Sequence, residues 1–192
     1  MMHVYSLKEF IDEVAEAVAS EQSDMDKIRT IEPMLRMFLR NTSAVEEKFR
    51  EPLSDSYAQY LVHKPEDDSF SIVSFVWLPS QRTPIHDHTV WGLIGVYEGE
   101  EEEERFARLD DESRADYAEL RSFGCHVARA GDVSFVCPPD KDIHLVRNVS
   151  SSPSISIHIY GCNIGERERH IFDAERCTVS PFRSGYTPLT TS

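Results

Sequence analysis

Residues 84–99 read PIHDHTVWGLIGVYEG, and residues 131–148 read GDVSFVCPPDKDIHLVRN. The first stretch sets His86 and His88 one residue apart, ahead of an apolar, β-branched run that closes on Gly99. Residues i and i+2 of a strand face the same way, so a strand here would present the two imidazoles side by side. The second stretch carries His144 between Gly131 and Asn148, with Pro139 ahead of it. A third imidazole from a distant strand would complete a facial set of neutral nitrogen donors, leaving other positions on a divalent metal open. Imidazole ligation suits iron, zinc, copper or nickel and does not select among them.

Outward from these stretches the texture is mainly β. YAQYLVHK, FSIVSFVW, WGLIGVYEG, EEERFARL, CHVARAGD, VSFVCPP, HLVRNVS and SISIHIYG are short runs rich in β-branched and aromatic residues, separated by turn formers. Neither βαβ alternation nor a phosphate-cradling glycine motif occurs, which argues against a nucleotide fold. Residues 6–50 read instead as helices. Ser6 and Glu9 fit a capping box, followed by an apolar stripe of Leu7, Phe10, Ile11, Val14, Ala15 and Val18. A second helix is expected from Asp26 to Leu39, with Ile28, Ile31, Leu35 and Phe38 inward and Pro33 weakening it. The expected organisation is a helical cap over residues 1–55, a barrel over 56–186 and a loose tail over 187–192.

The chain has 192 residues, enough for one domain with a full core. Its formal net charge of -14 argues against nucleic acid and anionic membranes as partners. An anionic small molecule would need a local cationic pocket, which screening over about 8 Å permits. The cysteines Cys125, Cys137, Cys162 and Cys177 form no C-x-x-C pair and read as small buried hydrophobes. With a polar, acidic N-terminal stretch and no long apolar run, the expected setting is a reducing cytoplasm. The acidic run from Glu98 to Glu104 reads as a solvated turn and strand edge that discourages edge pairing. His3, His63, His126 and His170 lack partners at ligand spacing. Trp77 and Trp91 read as packing residues, with Trp91 beside Gly92 placed to wall a pocket.

SISIHIYG adds a second constellation. Ser156, His158 and Tyr160 share one face of a strand, while Ile155, Ile157 and Ile159 share the other. A barrel strand usually turns aliphatic groups inward, so the pattern leaves open which face lines a cavity.

The two histidine stretches resemble the paired motifs of cupin barrels: glycine, His-x-His and a closing glycine, then glycine, proline, histidine and asparagine. That implies a cupin double-stranded β-helix (jelly-roll) barrel. Gly92 stands where those motifs usually carry a glutamate, so the set here would be imidazoles alone. From YAQYLV through FVW, TPIHDHTVWG, HLVRN and SISIHIYG, the chain resembles the cysteine dioxygenase family of thiol dioxygenases over nearly its whole length. The resemblance implies Fe(II) held by His86, His88 and His144, with both atoms of O₂ added to a substrate thiol to give a sulfinate. It further implies an outer-sphere relay of Ser156, His158 and Tyr160.

Within that family, animal-type cysteine dioxygenases carry a cysteine linked to the tyrosine and an arginine for the substrate carboxylate. Here those positions are Gly92 and Gln59. Gly92, Gln59, the TVWG sequence and Arg169 make the chain most similar to the bacterial 3-mercaptopropionate dioxygenases. On that resemblance Arg169 pairs with the substrate carboxylate, Gln59 adds a neutral hydrogen bond, and Arg167 is the competing cation. The expected partners are a small thiol carboxylate and O₂, the expected assembly a monomer or small homo-oligomer. An L-cysteine dioxygenase without the crosslink, a metal-dependent cupin acting on a non-thiol substrate, and a non-catalytic cupin stay open as alternatives.

Overall fold

The computed structural model describes residues 5–20 and 23–189; His3 and the end of the expected tail, residues 190–192, lie outside them. Helix α1 spans Leu7–Ala19, and the Ser6–Glu9 capping box closes its first turn. Helix α2 spans Asp24–Phe38, starting two residues before the expected boundary because Ser23 caps it by accepting from the Asp26 N–H. Pro33 lies inside α2 without ending it. The helix is held by its buried stripe of Ile28, Ile31, Leu35 and Phe38, and tertiary packing of such a face outweighs local propensity.

Among the described residues eleven strands follow, all in antiparallel pairs: β1 Ala58–His63, β2 Ser71–Trp77, β3 Ile85–His86, β4 Gly92–Glu98, β5 Glu100–Arg108, β6 Leu120–Arg129, β7 Val133–Val136, β8 Ile143–Asn148, β9 Ser154–Tyr160, β10 Arg169–Asp173 and β11 Thr178–Phe182. They form one sheet in the order β1-β2-β9-β4-β7 and a second in the order β11-β10-β3-β8-β5-β6. Gly99, with φ at 83°, carries the chain from the first sheet into the second between β4 and β5. The eight runs quoted above fall on eight of these strands, and β3 and β10 fall where His86 and His170 read as strand-like; β11 is too short to show a period.

β9 is the middle strand of the first sheet and is buried along its whole length. Ile155, Ile157 and Ile159 join Phe10, Val14, Ile31 and Leu35 in one core between sheet and helices. Tyr160 belongs to a second core inside the barrel, with Val73, Phe75, Trp77 and Ile94. The helical layer therefore takes up the aliphatic face of β9. That leaves the Ser156–His158–Tyr160 face for the interior, and the question left open by the alternation is answered.

Several expectations need correction. The acidic run is no edge: β5 pairs with both β6 and β8, and β6 is the edge strand. Alternation puts Glu101 and Glu103 inside the barrel, 2% and 5% exposed, while Glu100 and Glu102 pair with Arg129 and Arg147. A run of identical residues carries no amphipathic signal, so its buried face was invisible. The cysteines are free, but Cys125 is exposed and the other three are only partly buried. Thr187 is not loose: its N–H donates to the Gln59 carbonyl on β1, and its Oγ1 accepts from the Gln59 N–H. No helix among the described residues is long and apolar enough to cross a membrane.

Because Ile157 is almost fully enclosed between sheet and helices, Ile157→Ala is expected to cost about 2–5 kcal/mol in urea-induced unfolding. A loss near zero would show that the helices do not seal this face.

Candidate metal centre

His86, His88 and His144 converge. One ring nitrogen from each lies within 4.8 Å of the others, and no carboxylate or thiol among the described residues joins the group. The imidazoles are 7%, 0% and 2% exposed. His86 and His144 stand directly opposite each other on β3 and β8. His88 reaches the cluster differently from the His-x-His expectation, because β3 ends at His86 and His88 lies in the turn that follows. Asp142 makes that turn: its carboxylate accepts the His88 N–H at 3.0 Å and the Thr89 N–H at 2.9 Å, with Thr89 in the left-handed region at φ 57°.

Each ring is also held at Nδ1. His86 Nδ1 meets the Pro84 carbonyl at 3.0 Å, His88 Nδ1 the Asp142 carbonyl at 3.1 Å, and His144 Nδ1 the Glu103 carboxylate at 2.8 Å. These acceptors fix the Nδ1–H tautomer and turn the Nε2 lone pairs inward, the arrangement of metal-ligating histidines. His88 Nε2 is buried without a hydrogen-bond partner. Burial first, then the neighbouring imidazoles and Arg169, holds His86 and His88 well below the usual histidine range, so both rings are neutral. Burial opposes ionisation of Glu103, yet His144 and Arg105 outweigh it and hold the carboxyl down to about 2. Neutral donors, fixed tautomers and an orphaned buried nitrogen fit a divalent transition metal. Glu103 and Asp142 escaped the sequence reading, since Glu103 meets His144 through the β5–β8 register and Asp142 meets the His88 segment from just ahead of β8.

The β9 side chains form a continuous chain. Ser156 Oγ lies 2.9 Å from His158 Nε2, and His158 Nδ1 lies 2.8 Å from the Tyr160 hydroxyl. Burial lowers His158 to about 3 and raises Tyr160, so the imidazole is neutral and the phenol protonated. The Tyr160 ring stacks on His88 at 5.4 Å between centroids, joining the chain to the triad. Gly92, opposite Tyr160 on β4, makes room for that ring: a Cβ there would sit 2.6 Å from Tyr160 Cδ1. Trp91 does not wall the pocket. It belongs to the core between sheet and helices, against Gly161, whereas Trp77 lines the cavity.

That cavity, narrow at about 20 Å³, is also lined by Gln59, His86, His144, His158, Tyr160 and Arg169. Arg169 is 4% exposed, and its Nε is buried without a partner. Its Nη2 donates to Ser184 Oγ at 2.9 Å and the guanidinium lies 4.6 Å from the Phe182 ring centre. Among the described residues no carboxylate lies within ion-pair distance of it. Gln59 donates its amide N–H groups to Ser184 Oγ at 3.0 Å and to the Gly185 carbonyl at 3.1 Å. Ser184, which carried no sequence signal, thus ties Gln59 to Arg169. Arg167 points elsewhere: it is exposed and donates to the Thr89 side chain and carbonyl.

No protein-family model matches the chain. Among solved structures, it is similar to a protein of Klebsiella pneumoniae described as having a double-stranded β-helix domain. The TM-score is 0.50 at 16% identity, over 67% of this chain and 91% of that one. The fold is a double-stranded β-helix. A cupin superfamily protein of Desulfitobacterium hafniense aligns at TM-score 0.42 and 12% identity, over 64% of this chain and 87% of that one. An oxalate oxidase aligns at 0.41 and 17%, over 62% of each chain. At 16% identity the likeness to the Klebsiella pneumoniae protein is one of fold alone.

Since Gly92 gives way to the Tyr160 ring, Gly92→Ala should displace the phenol from His158 while the histidine triad still takes up metal. A crystal structure of the metal-loaded variant checks both, and an unmoved Tyr160 would contradict the packing argument.

Proposed function

We propose that the protein is a mononuclear non-haem iron thiol dioxygenase acting on a small thiol carboxylate, 3-mercaptopropionate before L-cysteine. The observation that carries this reading is Arg169: a guanidinium 4% exposed, without a carboxylate partner, facing the same narrow cavity as two of the clustered imidazoles. A buried charge left unpaired is costly, and arginine's planar fork suits a carboxylate. In a chain of net charge -14, that local cation is what would admit an anionic substrate.

The residues divide the work. His86, His88 and His144 would hold iron(II), which supplies ligation of the substrate sulfur and activation of O₂. Because no carboxylate among the described residues joins the imidazoles, the ion would keep its charge for anionic substrate donors, and a coordinating thiol is bound as thiolate. Arg169, set by Ser184 and Gln59, orients the carboxylate end. Trp77, Phe75 and Ile164 give the cavity apolar walls that limit water near the reacting sulfur. Tyr160 stays protonated and offers its hydroxyl at the cavity, held by His158 and Ser156. The overall change is R–SH plus O₂ to R–SO₂⁻ plus H⁺. Sulfur supplies all four electrons, so no nicotinamide, flavin or keto acid is consumed. The likeness to thiol dioxygenase motifs selects the reaction class, and glycine, glutamine and arginine at residues 92, 59 and 169 select the carboxylate over an amino acid. We also propose a reducing cytoplasmic setting, which suits the four free cysteines.

Iron-loaded protein should consume O₂ with 3-mercaptopropionate much faster than with cysteine, forming 3-sulfinopropionate. Arg169→Ala should raise KM for the acid about 10- to 100-fold, the worth of a hydrogen-bonded charge of about 1.5–3 kcal/mol. A flat oxygen trace with every thiol, or a wide preference for cysteine, would contradict the assignment.

A further inference from the structure

Glu101 is a buried carboxyl that the reaction above leaves unused. Facing the barrel interior from β5, it is 2% exposed, and neither carboxylate oxygen has a hydrogen-bond partner. The hydroxyls of Ser154 and Ser156 on β9 face it, close enough to favour its ionised form but outside hydrogen-bond geometry. Ser154 Oγ is likewise buried and unpartnered. Beside Glu101 opens a cavity of about 10 Å³, lined also by Glu103, Ser134 and His144, room for about one water. An orphaned acid thus sits at the far end of the hydrogen-bonded chain that finishes at Tyr160.

We propose that Glu101 is a positioning residue that terminates a relay Glu101–Ser156–His158–Tyr160, and that its protonation sets the direction in which the relay's hydrogen bonds run. The consequence for catalysis rests on the function proposed above; the hydrogen-bond argument does not. With Glu101 protonated and its side chain drawn onto the neighbouring Ser156 hydroxyl, its O–H donates to Ser156, Ser156 donates to His158 Nε2, and His158 Nδ1–H donates to the Tyr160 oxygen. The phenol proton then points into the cavity. With Glu101 ionised, Ser156 donates to the carboxylate and accepts from His158 Nε2–H. His158 Nδ1 accepts the phenol proton, and Tyr160 shows the cavity only lone pairs. The two states differ by one proton overall and by the tautomer of His158. Trp77 Nε1, 3.4 Å from Ser156 Oγ, donates to it in both, so Ser156 is satisfied either way.

The surroundings let the switch work near neutrality. Burial pushes Glu101 up to about 7, against the opposing pull of Ser156 and Ser154. Two titratable side chains share its cavity wall, Glu103 on the same strand and His144 on β8, and these engage each other. His158 stands beyond Ser156 on β9. β4, β6 and β7 contribute only aliphatic side chains and the Ser134 hydroxyl to the wall.

Histidine ¹⁵N NMR of the full-length, Zn(II)-loaded protein reads the relay without turnover, with His158 assigned by its loss in His158→Gln. Wild-type His158 should change from Nδ1–H to Nε2–H as pH rises through neutrality. In Glu101→Gln, which cannot ionise, the tautomer should be the same at every pH. On the iron-loaded enzyme, kcat should fall about tenfold per pH unit above neutrality, and that limb should vanish in the variant. A wild-type tautomer that ignores pH, or a variant that titrates like wild type, would overturn the proposal. Should Glu101→Gln fail to fold, the wild-type series and the infrared band of a protonated buried carboxyl decide it: the band must be lost over the same pH range as the tautomer changes. A flat oxygen trace with an intact tautomer switch would defeat the thiol dioxygenase reading and leave the relay standing.

Discussion

The hydrogen bonds at Nδ1 of His86, His88 and His144 are the constraint on which the site depends. Each ring has two nitrogens, and a partner at one decides what the other can do. A backbone carbonyl two residues back, a second carbonyl just ahead of β8 and a carboxylate on β5 serve as the three acceptors. With Nδ1–H committed, each inward Nε2 carries a lone pair, and that of His88 has no hydrogen-bond partner. Burial adds to this by keeping His86 and His88 neutral. Acidic residues take part as supports behind the rings, which is how a metal can be given a charge-neutral cage inside an acidic protein.

A second constraint is the helical layer. Polar residues on an inner sheet face are costly unless they bond to one another and the other face supplies the core. Here α1 and α2 take up Ile155, Ile157 and Ile159, while Ser156, His158 and Tyr160 satisfy one another inside. The same strand therefore contributes to stability on one face and to chemistry on the other. Gly92 belongs to this economy of space, because the Tyr160 ring lies where a side chain would begin.

Much of this was legible in the sequence where a short period carries information. Alternation in SISIHIYG separated the aliphatic from the hydrogen-bonding face, and the capping box at Ser6 marked the start of α1. The three histidines were readable from two motifs in order. Their supports were not. Asp142 works through a turn that takes His88 off the strand, and Glu103 through a register between β5 and β8. Glu101 and Glu103 hid in a uniform acidic run whose faces look alike until the strand is paired. Arg169 and Arg167 sit two apart and were told apart only by burial: one is enclosed with Ser184 and Phe182, the other tied to Thr89 outside.

The central proposal is that iron at this site is held by imidazoles alone. X-ray absorption at the iron edge of the loaded protein tests it most directly. The account predicts scattering from three imidazole rings with the remaining positions filled by solvent, and a new sulfur neighbour when 3-mercaptopropionate is added. Fewer than three imidazoles, or a protein carboxylate bound to the iron, would contradict it.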